Sequence, residues 1–103
     1  MSGPRKVLLI VVKEGDTWER TPLYVAIVHR LRHAGVAGAT VQSGIMGFGR
    51  HHRIHHKGLF GVPDDRPTTI MAVDEDEKLR AFVADSRDIL KNAMTLMLDA
   101  ELL

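Results

Sequence analysis

The sequence predicts an α+β domain in which two β-α-β units share one four-stranded antiparallel sheet with two helices on one face. Three observations carry this. Two stretches of helical periodicity, around 23–34 and 77–90, each lie between strand-like runs. A glycine-rich segment without sustained period separates the two units. The chain has 103 residues, enough for one core that buries roughly two-thirds of the unfolded surface.

The first strand is expected over 6–12, a continuous run of Val, Leu and Ile suited to burial on both faces. A charged loop follows over 13–20. Thr21 is placed as the N-cap of the first helix and Pro22 at its first position, where a missing N–H costs nothing. Leu23, Ala26, Ile27, Leu31 and Ala34 share one face of that helix, and Gly35 suits a left-handed close. A second strand is expected over 36–47. Ala39, Val41, Ser43 and Ile45 alternate there with Thr40, Gln42 and Gly44. Gly44 inside a strand marks a bulge or a close backbone approach.

The stretch 48–66 is expected to be a long loop, a length usually tied to function in a small domain. A third strand covers 67–73. Asp74 with Glu77 forms the expected capping pair of a second helix, whose buried face carries Leu79, Phe82, Val83, Ile89 and Leu90. The last strand, 93–102, places Met94, Leu96, Leu98 and Ala100 on one side. The order βαββαβ is the split-βαβ, or ferredoxin-like, arrangement, and residues 1–103 are expected to form one such domain. Both faces of the first strand are apolar, so the sheet face away from the helices needs cover from other copies.

Bulk properties narrow the function. Charged residues make up 26% of the chain and apolar residues 45%, as in globular proteins, and the formal net charge is +1. A global charge this small points to neither nucleic acid nor membrane. There is no cysteine, which rules out thiolate chemistry and disulfides. The apolar run near the N-terminus is too short for a signal core or a membrane span, so a cytoplasmic location is expected. No nucleophile elbow or Ser/His/Asp grouping is apparent, and the expectation is a non-enzyme. Phe48 and Phe60 are the only aromatics near the basic loop and no RNA-recognition motif is present, so no nucleic-acid partner is expected.

The candidate site is the edge and loop from Gly44 onward. Gly44, Gly47 and Gly49, with Phe48 among them, let a backbone approach a ligand, and consecutive N–H groups form an anion nest. Arg50, Arg53 and Lys57 add positive charge, and His55 joins them; a planar guanidinium suits phosphate. Neither a dinucleotide fingerprint nor a P-loop is present. An alternative is a metal site, because His51 and His55, and likewise His52 and His56, stand four residues apart. Glu14 follows the first strand, where it can face the loop. Trp18 in its charged loop is expected to cover an interface, and His29 and His33 to form an exposed helix face.

The motifs Leu23-Tyr24-x-Ala26-Ile27-Val28, Ala34-Gly35-x-Ala37-Gly38-Ala39-Thr40-Val41, Gly44-Ile45-Met46-Gly47-Phe48-Gly49 and Arg53-Ile54-His55 resemble the domain-of-unknown-function 190 family. This is a PII-like (GlnB-like) group, and the resemblance spans nearly the whole chain. It implies a PII-like fold and a homotrimer whose sheets face the centre. It also implies kinship to signalling proteins that bind nucleotides in clefts between subunits and move the loop corresponding to 49–66. On this basis the expected ligand is a small anion such as an adenine nucleotide, and a membrane transporter is the kind of partner expected to meet the loop. The alternative histidine site has its counterpart in trimeric metal-tolerance proteins of related fold. Two departures bear on the ligand. The turn after the third strand, Val73-Asp74-Glu75-Asp76-Glu77, is acidic where PII proteins carry Gly and Lys or Arg, and 94–103 has no basic residue. A smaller adenine nucleotide or another anion therefore fits better than ATP held in the PII manner.

Overall fold

The computed structural model describes residues 2–48, 55–56 and 66–103. Four strands form the main sheet: β1 (Gly3–Lys13), β4 (Gly38–Ser43), β7 (Pro67–Asp74) and β8 (Met94–Leu102). Their order is β4-β7-β1-β8 and every pairing is antiparallel. The helices α1 (Leu23–His33), α2 (Asp76–Asp85) and α3 (Arg87–Leu90) contribute to a single core with one sheet face. The architecture is the expected ferredoxin-like α+β fold.

The central position of β1 explains its unbroken apolar run. Leu8, Ile10 and Val12 point to the helices and are buried, together with Ile70 and Ala72 of β7. From α1 come Leu23, Ile27 and Leu31, from α2 Leu79 and Phe82, and from α3 Ile89 and Leu90. Each such side chain contributes about 1.5–3 kcal/mol by leaving water. Val7, Leu9 and Val11 point the other way and stay half-buried.

The two helix starts differ from expectation. Thr21–Pro22 is a two-residue strand, β3, paired with β2 (Thr17–Trp18) through a turn at Glu19 and Arg20. Pro22 is the N-cap of α1, and the N–H of Leu23 donates to the Asp16 carbonyl at 2.7 Å. A backbone carbonyl thus takes the place expected for the Thr21 hydroxyl. At α2 the N-cap is Glu75 without a side-chain cap bond, so the Asp74–Glu77 capping pair does not form. Asp74 instead accepts from Glu75 N–H at 2.7 Å and, across the fold, from Ala37 N–H at 2.9 Å. The expected single second helix breaks at buried Ser86, so Ile89 and Leu90 belong to α3.

The end of α1 follows expectation. Gly35 has φ +78°. Val36 N–H donates to Leu31 and Gly35 N–H to Arg32, the paired bonds of a Schellman close. The second strand is shorter than expected: β4 ends at Ser43, and Met46–Gly47 forms a separate strand, β5, paired with β6 (His55–His56). Within the stretch expected to be a plain loop, 55–56 is therefore strand.

Candidate functional site

Three chain segments meet at one end of the sheet, where β1 and β4 end and β7 begins. Lys13 pairs with Pro67, and Ser43 with Thr68. Beyond the ladder, Glu14 N–H donates to the Arg66 carbonyl at 2.8 Å, and Gly44 N–H to the Pro67 carbonyl at 2.7 Å. The Arg66 guanidinium grips the Glu14 carboxylate with two bonds, Nε to Oε2 at 3.0 Å and Nη2 to Oε1 at 3.3 Å. Both partners are mostly shielded, with side chains 20% and 30% exposed. A bidentate, partly desolvated pair of this kind is worth more than a surface ion pair.

The Pro67 ring is the seat for the glycine edge. A Cβ on Gly44 would lie 2.8 Å from Pro67 Cγ and 2.9 Å from its carbonyl oxygen; one on Gly47 would lie 2.9 Å from the same Cγ. Gly44 is needed for close approach, as one of the two sequence readings has it, and the partner is the protein's own backbone. Ile45, Met46 and Phe48 project from this edge and are 63–78% exposed. Next to Pro67, the Thr68 hydroxyl is buried with no hydrogen-bond partner among the described residues.

Of the sequence-predicted binding residues, the structure brings Gly44 and Gly47 together on Pro67 and leaves Phe48 beside them. His55 lies opposite Gly47 in the β5–β6 ladder, and His56 opposite Met46. Gly49, Arg50, Arg53 and Lys57 lie outside the described residues, as do His51 and His52 of the metal alternative and the side chains of His55 and His56. Among the described residues, no group of three or more His, Asp or Glu stands where it could hold a metal. Sequence reasoning missed Arg66 as a partner of Glu14. The two are 52 positions apart, and no local pattern links them.

The acidic turn after β7 is occupied from within. Both carboxylate oxygens of Asp74 are engaged by backbone N–H groups, and Lys78 Nζ donates to the Gly35 carbonyl at 3.2 Å beside it. Two surface carboxylates have pKa values held below the usual range. For Asp88 the chief cause is a hydrogen bond from Arg30 Nη1, at 2.7 Å; for Asp99 it is the hydrogen bond from Lys6. Lys6 also stands 4.0 Å from Asp76, which binds Arg80 one helical turn on at 3.0 Å. No helix among the described residues is long and apolar enough to cross a membrane.

Comparison with known proteins places this geometry in a group. The family model of DUF190, described as Uncharacterized ACR, matches residues 5–102. A UPF0166 protein of Methanocaldococcus jannaschii is 31% identical over 84% of this chain and 80% of its own length. Another UPF0166 protein, from Aquifex aeolicus, is 29% identical over 89% of this chain and 88% of its own. Among solved structures, CPII from Thiomonas intermedia K12, a nitrogen regulatory PII-like protein bound to ADP, AMP and bicarbonate, superposes with a TM-score of 0.74. It has 19% identity, and the match covers 99% of this chain and 91% of that one. The fold is PII-like.

Proposed function

We propose that this chain, which belongs to the DUF190 family, is a non-enzymatic PII-like regulatory protein that senses a small anionic ligand of the adenine-nucleotide class. Residues 1–103 act as one domain, in a cytoplasmic homotrimer. The ligand sits at a cleft between subunits, along the edge Gly44, Gly47, Phe48 and Gly49. Arg50, Arg53, His55 and Lys57 meet its negative charge. Binding orders the 49–66 loop and changes how that loop meets a partner, for which a membrane transporter is the expected kind. The coupling is no larger than the ligand's preference for the ordered loop.

The observation that carries this reading is the anchored root. Gly44 and Gly47 are fixed on Pro67, and Arg66 is fixed on Glu14, so the segment between them is presented from a rigid frame. The likeness to CPII, whose structure holds ADP, AMP and bicarbonate, supports the ligand class. The engaged Asp74 carboxylate supports a ligand smaller or less charged than ATP, because it already occupies the Glu75 N–H of the turn and the Ala37 N–H that faces it across the fold. The trimer reading is supported by the open sheet face. Met71, Met94, Leu96 and Leu98 are 39–55% exposed there around half-buried Val7, Leu9 and Val11.

Calorimetry with ADP, AMP and ATP, in the presence of a chelator, tests the reading. Saturable binding of at least one nucleotide is expected, about tenfold weaker in Arg53→Ala. Absence of heat from all three would overturn it.

A further inference from the structure

A second candidate site lies in the helix layer, beside the hairpin that follows β1. It is a groove of about 360 Å³ between the β2–β3 hairpin, α1 and α3. Trp18 forms one wall, Ala26 and Ile89 supply apolar surface, and Thr21, His29, Arg30 and His33 complete the lining. That volume falls within the range of small-molecule sites, about 300–1,000 Å³.

The polar groups in this groove are mostly donors. Trp18 contributes an indole N–H, and His29 and His33 contribute exposed imidazoles. His29 and His33 are one helical turn apart, so both face the same space. Arg30 is held in place from two sides. It stands 6.0 Å from the Trp18 ring centroid and donates to Asp88 at 2.7 Å. The remaining carboxylate, Glu19, is at the hairpin tip. Glu19 and Arg20 have φ of 48° and 69°. A two-residue hairpin turn with both φ positive normally takes Asn-Gly, so two bulky residues are kept here at a conformational cost. The hairpin thereby holds the Trp18 wall against α1.

We propose that this groove is a binding site for a small aryl carboxylate: the ring lies against Trp18, Ala26 and Ile89, and the carboxylate accepts hydrogen bonds from His29 and His33. A planar ring matches the aromatic wall, and an acceptor-only anion matches a lining rich in donors.

Trp18 is the only tryptophan in the chain, so its fluorescence reports on this groove directly. The test is titration of the intact protein with benzoate and with benzyl alcohol as the uncharged analogue. Benzoate gives a saturable change in Trp18 emission, and benzyl alcohol binds about tenfold more weakly. The exposed pair His29→Ala/His33→Ala weakens benzoate to a similar degree with an unchanged circular dichroism spectrum, and Glu19→Gln strengthens it by removing the rim carboxylate. An unsaturable response, equal midpoints for the two probes, or a midpoint unmoved by the double histidine variant would overturn the proposal.

Discussion

Gly44 and Gly47 rest on the same proline ring yet differ in what a methyl group would strike. At Gly44 it would meet both the Pro67 ring and the Pro67 carbonyl; at Gly47 it would meet the ring alone. Gly44→Ala should therefore cost more stability, about 1–3 kcal/mol in urea unfolding, the scale of overpacking elsewhere in proteins. Adding Pro67→Ala should restore most of what Gly47→Ala loses and only part of what Gly44→Ala loses, because the carbonyl remains. A double-mutant cycle measures that difference. Asp88 supports a pH prediction. Its pKa is lowered by the bond from Arg30, so its stabilising effect is present above the ordinary carboxylate range and fades as pH falls through the lowered value. Carboxyl NMR titration should place Asp88 below a typical aspartate, and Arg30→Gln should move it back up.

At the scale of elements, what was legible in the sequence was whatever is decided locally. The doubly apolar run of β1, the alternation of β8 and the Gly35 close of α1 depend on residues within a few positions, and each stands as read. The helix starts were not legible, because their partners are not side chains of the expected cap. Asp16 offers its carbonyl to Leu23, and Asp74 spends its carboxylate on Ala37, 37 positions away. The end of β4 was missed for the same reason, since the break at Gly44 is set by Pro67 from another strand. Of the candidate site, the glycine edge was visible as composition, while the Glu14–Arg66 clamp needed the fold to exist. Glu14→Gln should cost about 1–2 kcal/mol, since it leaves a half-buried guanidinium without its counter-charge. Hydrogen exchange at the Glu14 and Gly44 amides should speed up in that variant relative to the amides of central β1.

For the whole molecule, the sheet is the shared boundary between two environments. One face holds the helices and the core; the other presents Met71, Met94, Leu96 and Leu98, 39–55% exposed among the described residues. If the proposed trimer uses that face, Leu96→Asp should shift the protein to monomers in light scattering at micromolar concentration. The helix-side core should remain intact by circular dichroism. The anchoring of both loop ends, Gly44 and Gly47 on Pro67 and Arg66 on Glu14, has a different kind of consequence, for how the chain can diverge. With the ends already closed by the fold, lengthening the intervening segment carries only the logarithmic penalty of a longer closed chain, about 0.6 kcal/mol per doubling. Length changes between the β5–β6 ladder and Arg66 should thus be tolerated nearly independently of the scaffold. Transplanting that stretch from another family member should change partner choice while leaving the unfolding midpoint almost where it was.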